Sequence, residues 1–240
     1  MSEDNLQKLF GSIDIYLFDQ LLKGRFVPGM RLLDAGCGSG RNLVYFLRSG
    51  FEVFGVDESE EAVAQTRRLA ATLAPQLPAD NFRVESVEKM SWESAGIRLS
   101  ADSPDYPERR SNQQVAVTKE PQASKSGADD RGFDVVLSSA VLHFARDEAQ
   151  WQAMVNEMWR VLKPAGIFFA RLASTIGVEH RVTLIEGRRY HLPDGSDRFL
   201  VDEAMLKRVT DSLGAEFMEP IKTTIVENLR AMTTWVIRKN

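Results

Sequence analysis

Three glycines at alternate positions, Gly36, Gly38 and Gly40, separate a short apolar run, Met30-Arg31-Leu32-Leu33-Asp34, from the helix-forming stretch Asn42-Leu43-Val44-Tyr45-Phe46-Leu47. A strand that breaks into such a turn and leaves as a helix predicts an α/β layer structure. Glycine accepts φ values that other residues resist and lets the backbone approach a ligand closely. The same alternation recurs downstream, with strands expected over 51–56, 82–86, 133–138 and 166–172 and helices over 60–73 and 148–162. Repeated β-then-α order favours a parallel sheet covered by helices on both faces. Ser59 before Glu60 and Glu61 suits a helix start, because the hydroxyl caps free amides and the acids face the positive dipole end. Lys163-Pro164-Ala165-Gly166 supplies a stop for the helix before it.

The last third predicts a helix over 202–213 and strands over 217–226 and 232–238, the final two joined too tightly for a helical crossover and so antiparallel. The count is seven strands. Leu6, Leu9, Phe10, Ile13, Leu17, Leu21 and Leu22 recur at mostly three- and four-residue spacings, which reads residues 1–29 as an N-terminal helical cap. Two stretches break the rhythm. Residues 93–132, with Pro104, Pro107 and Pro121 and many serines, form a polar insertion; Ile97-Arg98-Leu99 and Val115-Ala116-Val117 within it could pair as a hairpin arm. Residues 174–198 hold His180, Arg181, Arg188, Arg189, Tyr190 and His191 around a Pro193-Asp194-Gly195 turn, a candidate acceptor lid over the carboxyl edge of the sheet or a solvated basic loop.

At 240 residues with 43% hydrophobic content, one domain spanning 1–240 can bury a full core. No run approaches the roughly 18 apolar residues of a membrane span, and the first residues lack a signal peptide's order, so a cytoplasmic protein without membrane partners is expected. Cys37 is the single cysteine, which excludes an internal disulfide or a multi-cysteine metal site. No metal is expected. A net charge of −4 provides no broad positive field for a phosphate backbone, so no nucleic-acid partner is expected.

The glycine turn admits three readings. A phosphate-binding P-loop ends in Gly-Lys-Ser/Thr, but Arg41-Asn42 follow Gly40. A dinucleotide fingerprint wants glycine or alanine where bulky Arg41 stands. The third fits: Asp34-Ala35-Gly36-Cys37-Gly38-Ser39-Gly40 resembles motif I of the class I S-adenosylmethionine-dependent methyltransferases.

Further segments continue the resemblance. Asp57 ends the second strand where family members hold the ribose hydroxyls through a carboxylate, and a carboxylate is apt for a diol because it accepts two hydrogen bonds. Glu85-Ser86-Val87-Glu88 looks like the adenine-edge segment, although the acid often seen at the Ser86 position is absent. Phe133-Asp134-Val135-Val136-Leu137-Ser138-Ser139-Ala140-Val141-Leu142-His143-Phe144 resembles the fourth-strand motif, and Leu162-Lys163-Pro164-Ala165-Gly166 the turn before strand five. The terminal hairpin is a family hallmark, and the chain's end, from Phe199 to Trp235, looks most like the small-molecule branch that includes tellurite-resistance-type enzymes.

The resemblance implies a Rossmann-like α/β fold with a seven-stranded, mostly parallel sheet and a C-terminal antiparallel β-hairpin. It implies S-adenosylmethionine as cofactor, held by Asp34, Gly36, Cys37, Gly38, Gly40, Asp57, Glu58, Val87, Glu88 and Ser138. It also implies in-line methyl transfer to a small-molecule acceptor. Ser138-Ser139-Ala140-Val141 lacks the Asn/Asp-Pro-Pro-Tyr/Phe tetrad of enzymes that methylate base amino groups. His143, just beyond strand four, is a candidate general base, and Arg171, near the end of strand five, a candidate partner for an anionic acceptor. Each also has a structural alternative: a histidine satisfied at a helix start, an arginine in an ion pair. Tyr16, Met90 and Trp92 are candidates to wall the cofactor, with core packing as the default. A homodimer, a cofactor-binding module without turnover and a nicotinamide-dependent oxidoreductase remain open.

Overall fold

The computed structural model describes residues 3–93 and 132–240. Apart from its two end residues, the 93–132 insertion, with its expected hairpin arm, lies outside the described residues.

The N-terminal cap comprises α1 (Glu3–Phe10) and α2 (Ile15–Leu22). Asp14 caps α2, its carboxylate accepting from the Tyr16 amide at 2.9 Å. The alternating region then runs β1 (Arg31–Ala35), α3 (Val44–Arg48), β2 (Glu52–Asp57), α4 (Glu60–Leu73), β3 (Phe82–Val84), β4 (Phe133–Ser139), α5 (Glu148–Val161) and β5 (Leu162–Ser174). Ser59 caps α4 through the Ala62 amide at 3.2 Å, and Asp147 caps α5 through the Gln150 amide at 2.7 Å. After β5 come β6 (Thr183–Glu186), β7 (Arg189–His191), β8 (Asp197–Phe199), α6 (Glu203–Ser212), β9 (Ala215–Phe217), β10 (Lys222–Val226) and β11 (Arg230–Lys239).

The main sheet runs β10-β11-β5-β4-β1-β2-β3, with β9 also on β11. Strands β3, β2, β1, β4 and β5 are mutually parallel, while β11 runs antiparallel to β5, β9 and β10. The sheet therefore has eight strands, one more than expected. The difference lies at one edge, where the stretch expected as a single strand over 217–226 splits into β9 and β10 around Met218–Ile221. Pro220 there has no amide to offer a ladder, and Glu219 turns toward α2, where it meets Lys23, Lys222 and Gln20. That polar knot ties the helical cap to the sheet edge.

Strand alternation sorts side chains onto two faces. Leu33, Phe168, Trp235 and Ile237 face one core with Trp151, Met158 and Leu206 of α5 and α6. Leu32, Phe169 and Val236 face the other with Leu17, Phe46 and Val63 of α2, α3 and α4. Each large side chain buried this way contributes about 1.5–3 kcal/mol, so both helical layers are held by packing and the parallel tips stay fixed at the carboxyl edge.

The basic stretch expected as a lid is a second, three-stranded antiparallel sheet, β6-β7-β8, with the Pro193-Asp194-Gly195 turn between β7 and β8. Its inner side is anchored by buried Leu192 and Leu200 against Ala173 of β5. Among the described residues no helix is long and apolar enough to cross a membrane.

Candidate functional site

The turn after β1 is built from backbone hydrogen bonds. The Gly36 and Cys37 amides both donate to the Val56 carbonyl, at 2.8 and 2.9 Å, which locks the turn to the tip of β2. Gly36 takes φ +86, and a Cβ there would lie 2.3 Å from Val141 of the next strand's loop. Glycine is required by contact as well as conformation. Gly38 takes φ +53 with nothing within 4 Å of where its Cβ would be, so its backbone faces open space. Gly40 instead packs on Leu69 and Thr66 of α4.

The open space is a cavity of about 600 Å³ across the tips of β2, β1 and β4. Gly36, Cys37, Gly38 and Ser39 form its floor, Asp57, Glu58, Val87 and Glu88 one end, and Ser139, Ala140, Val141, Phe144 and Ala145 the other; Arg41, Asn42, Gln150 and Met154 complete it. Asp57 is held in a fixed orientation, one carboxylate oxygen accepting from the Gly38 amide and the other from the Ser59 amide, both at 2.9 Å. Each oxygen accepts one of these bonds and has capacity for another, and Asp57 lines the cavity. Gln150 donates to Glu88 at 2.9 Å, joining α5 to the segment after β3.

Of the ten cofactor contacts anticipated from sequence, seven line the cavity: Gly36, Cys37, Gly38, Asp57, Glu58, Val87 and Glu88. Three do not. Asp34 lies behind the turn, 1% exposed, and one of its oxygens has no hydrogen-bond partner. Burial, reinforced by the nearby Asp57 charge and opposed by Arg41, pushes its carboxyl up to about 7. Gly40 serves helix packing. Ser138 points into the sheet's interior with its hydroxyl unpartnered, and Ser139, one residue on, reaches the wall; the period of a strand makes one position the difference between core and site. Cys37 lines the floor, but burial and the carboxylates of Asp34 and Asp57 push its thiol well up, so it is no nucleophile.

Neither expected catalytic residue reaches the cavity. His143 is 7% exposed in a 3₁₀ turn and accepts a hydrogen bond from the Ala173 amide at 3.3 Å through Nδ1. Burial, followed by the charges of Arg198 and Arg230, pushes its imidazole down to about 4. It is a neutral structural acceptor there, which replaces the general-base expectation. Arg171 pairs with Asp14 at 2.8 Å and lies 4.5 Å over the Tyr16 ring. Asp14 in turn donates its amide to the Asn42 side chain at 3.0 Å. Arg171 thus ties α2 to the cavity wall. Tyr16 serves that tie, while Met90 and Trp92 sit in the core around Phe54 and Phe133.

Sequence reasoning did not single out Arg41, Asn42, Ser139, Ala140, Val141, Phe144, Ala145, Gln150 or Met154 as site residues. One signal existed for Arg41, which the fingerprint comparison marked as too bulky for tight helix packing; it points outward, within 3.4 Å of Ser139. Ala140 takes φ +64 at the tip of β4, held by the hydrogen bond its amide donates to the Arg171 carbonyl at 2.7 Å. A non-glycine residue in that region stores about 1–2 kcal/mol, and such strain gathers at functional sites.

No curated protein matches the chain. Solved structures share its fold. A S-adenosylmethionine-dependent methyltransferase of Methanosarcina mazei is 18% identical, with 91% of this chain and 96% of that one covered at a TM-score of 0.61. The 1,6-didemethyltoxoflavin-N1-methyltransferase of Burkholderia thailandensis, solved with 1,6-didemethyltoxoflavin and S-adenosylhomocysteine, is 16% identical, covering 99% and 82% at 0.60. The [4+2]-cyclase SpnF is 14% identical, covering 92% and 79% at 0.59. At such identities the likeness shows the fold alone, and one fold hosts many chemistries. The sequence itself carries the assignment: a methyltransferase-domain model matches residues 33–168, more than half of the chain, from within β1 into β5, and the chain belongs to that methyltransferase family.

Proposed function

We propose that the cavity binds S-adenosylmethionine and that the chain transfers its methyl group, in line, to a small-molecule acceptor entering past Phe144. The methyl donor is S-adenosylmethionine, and the residues present fit it. The observation that carries the reading is Asp57: a carboxylate locked by the Gly38 and Ser59 amides, with lone pairs left for a diol, beside a backbone that no side chain covers. The partnerless buried oxygen of Asp34 behind the turn is a second point of fit, since a cationic group bound on the cavity side of the turn would favour its ionised form.

When bound, the cofactor supplies a methyl on a sulfonium whose departure as a thioether needs no acid. The protein's part is alignment and exclusion of water. Asp57 would hold the ribose, while Val87, Glu88, Gln150 and Met154 would enclose the adenine; Arg41 and Asn42 would meet the methionine carboxylate, and Val141, Phe144 and Ala145 would exclude water from the methyl. Methyltransferases of this fold acting on small molecules, such as the toxoflavin enzyme, support an acceptor of that size. The resemblance of the C-terminal third to the tellurite-resistance branch leaves oxygen, sulfur, nitrogen and metalloid centres as targets.

Isothermal titration with S-adenosylhomocysteine, followed by a turnover screen with labelled S-adenosylmethionine, tests this. Binding with methylated product is the expected outcome; no binding contradicts it. A second reading, a cofactor-binding protein without methyl transfer, is favoured by the absence of any histidine, lysine or tyrosine from the cavity's described lining and by the cyclase that shares the fold. Binding without turnover across acceptors would select it.

A further inference from the structure

The two ends of the cavity differ in charge. Asp57, Glu58 and Glu88 crowd the end assigned to the nucleoside. At the other end Phe144, 61% exposed, stands at the mouth with the Arg198 guanidinium 4.8 Å over its ring. Arg198 comes from β8, and among the described residues its side chain donates to the backbone carbonyl of Asp197 at 2.8 Å. Asp197 is within 2.8 Å of His191, and Asp194, held by Ser196 and 3.8 Å from Arg230, also feels the charge of Arg198. Among the described residues no carboxylate is within ion-pair distance of Arg198, so its guanidinium can still take an anion. His143, beside Phe144, has its imidazole lowered first by burial and then by the charges of Arg198 and Arg230.

A second observation concerns the chemistry. The carboxylates that line the cavity belong to the nucleoside end, His143 faces β5, and Cys37 is held as a thiol, so the described lining holds no base placed to take a proton from an acceptor at the mouth. An acceptor that arrives as an anion needs none.

We infer that the acceptor is a small organic acid, its carboxylate drawn to the mouth by Arg198 and methylated there as the anion, an inference that rests on the cofactor reading above. A carboxylate oxygen lone pair forms the new O–CH3 bond, the electron pair of the broken S–CH3 bond stays on sulfur, and no proton moves. The ester product has lost the charge that Arg198 held, which favours its release. Arg171, the arginine that the sequence offered for an anionic acceptor, is held to Asp14 through Nε, its Nη1 buried without a partner; Arg198, over the exposed Phe144 ring, takes that part.

The test uses the full chain saturated with S-adenosylhomocysteine and titrated with benzoate and with benzamide, which match in shape and differ in charge. Benzoate is expected to bind about tenfold tighter or more, as a charge-assisted pair implies. In Arg198→Gln the preference falls to about twofold or less, Arg198→Lys restores part of it, and the affinity for S-adenosylhomocysteine stays at the native level in both. Benzoate binding no tighter than benzamide, neither probe binding, or Arg198→Gln weakening S-adenosylhomocysteine itself would each overturn the inference while leaving cofactor binding by the native chain intact. A native chain that fails to take S-adenosylhomocysteine overturns the cofactor reading and this inference with it.

Discussion

The two halves of the carboxyl edge are made differently. The β1–β2 half is backbone: amides of Gly36, Cys37 and Gly38 reach only as far as Val56 and Asp57, within some twenty residues of chain. The β4–β5 half is side chains, Ser139, Val141, Phe144 and Ala145 on the wall, with Arg198 of β8 over the Phe144 ring. A site made of backbone needs particular conformations and so tolerates few residue types; a site made of side chains can be rebuilt without disturbing the sheet beneath. The first half should therefore be sensitive in both stability and cofactor binding, the second in acceptor selection alone.

The largest contrast is expected at Gly36. Gly36→Ala places a methyl 2.3 Å from Val141 at φ +86, and overpacking plus strain should cost about 4 kcal/mol in urea unfolding. Gly38→Ala, with open space around it, should cost only about 1 kcal/mol and show its main effect as weaker S-adenosylhomocysteine binding. Equal losses at the two positions would break the distinction between a packed glycine and one that faces a ligand.

Asp34 sharpens the comparison through pH. Its carboxyl is raised in the fold from 3.8 to about 7, so the folded state binds the proton more tightly than the unfolded chain. The resulting stability is fully present below about pH 4 and is lost as pH rises through 7. Asp34→Asn should therefore gain on the native protein over that window by about 4 kcal/mol in ligand-free unfolding, while binding S-adenosylhomocysteine less tightly. His143, lowered to about 4, pulls oppositely on acidification below 6.5, and the paired comparison cancels it. A pH-independent difference between Asp34→Asn and native would remove the argument for a buried carboxylate awaiting a cation.

Arg41→Gln should weaken S-adenosylhomocysteine about tenfold, the value of one charge-assisted contact to a carboxylate, with little change in stability because the side chain is exposed. The smallest effect is expected at His143. Glutamine can still accept from the Ala173 amide, so His143→Gln should change turnover by less than about twofold, against the 10²–10⁴-fold of a lost general base. A loss of that size would restore the catalytic role that the geometry removes.

This division also explains what the sequence made legible. The β1 turn, the Asp57 tip and the cap at Ser59 are local devices, and local residue patterns specify them. Seven strands became eight because Pro220 and Glu219 interrupt an edge, a break that apolar alternation does not record. The second sheet was hidden because β6 is exposed along its length and so leaves no alternating pattern. Ser138 was taken for Ser139 through a one-residue slip of strand period. His143 and Arg171 were candidates by their position after strands. Their partners, Ala173 and Asp14, are 30 and 157 residues away in the chain, and only the tertiary structure could show them already engaged.

Calorimetric titration of S-adenosylhomocysteine into the native chain and Asp57→Ala reads the central claim most directly. Loss of two charge-assisted hydrogen bonds predicts a native isotherm with affinity weakened about a hundredfold or more in the variant, the fold being checked by its melting transition. A variant that binds as tightly as the native chain, or a native chain that does not bind, would contradict the account.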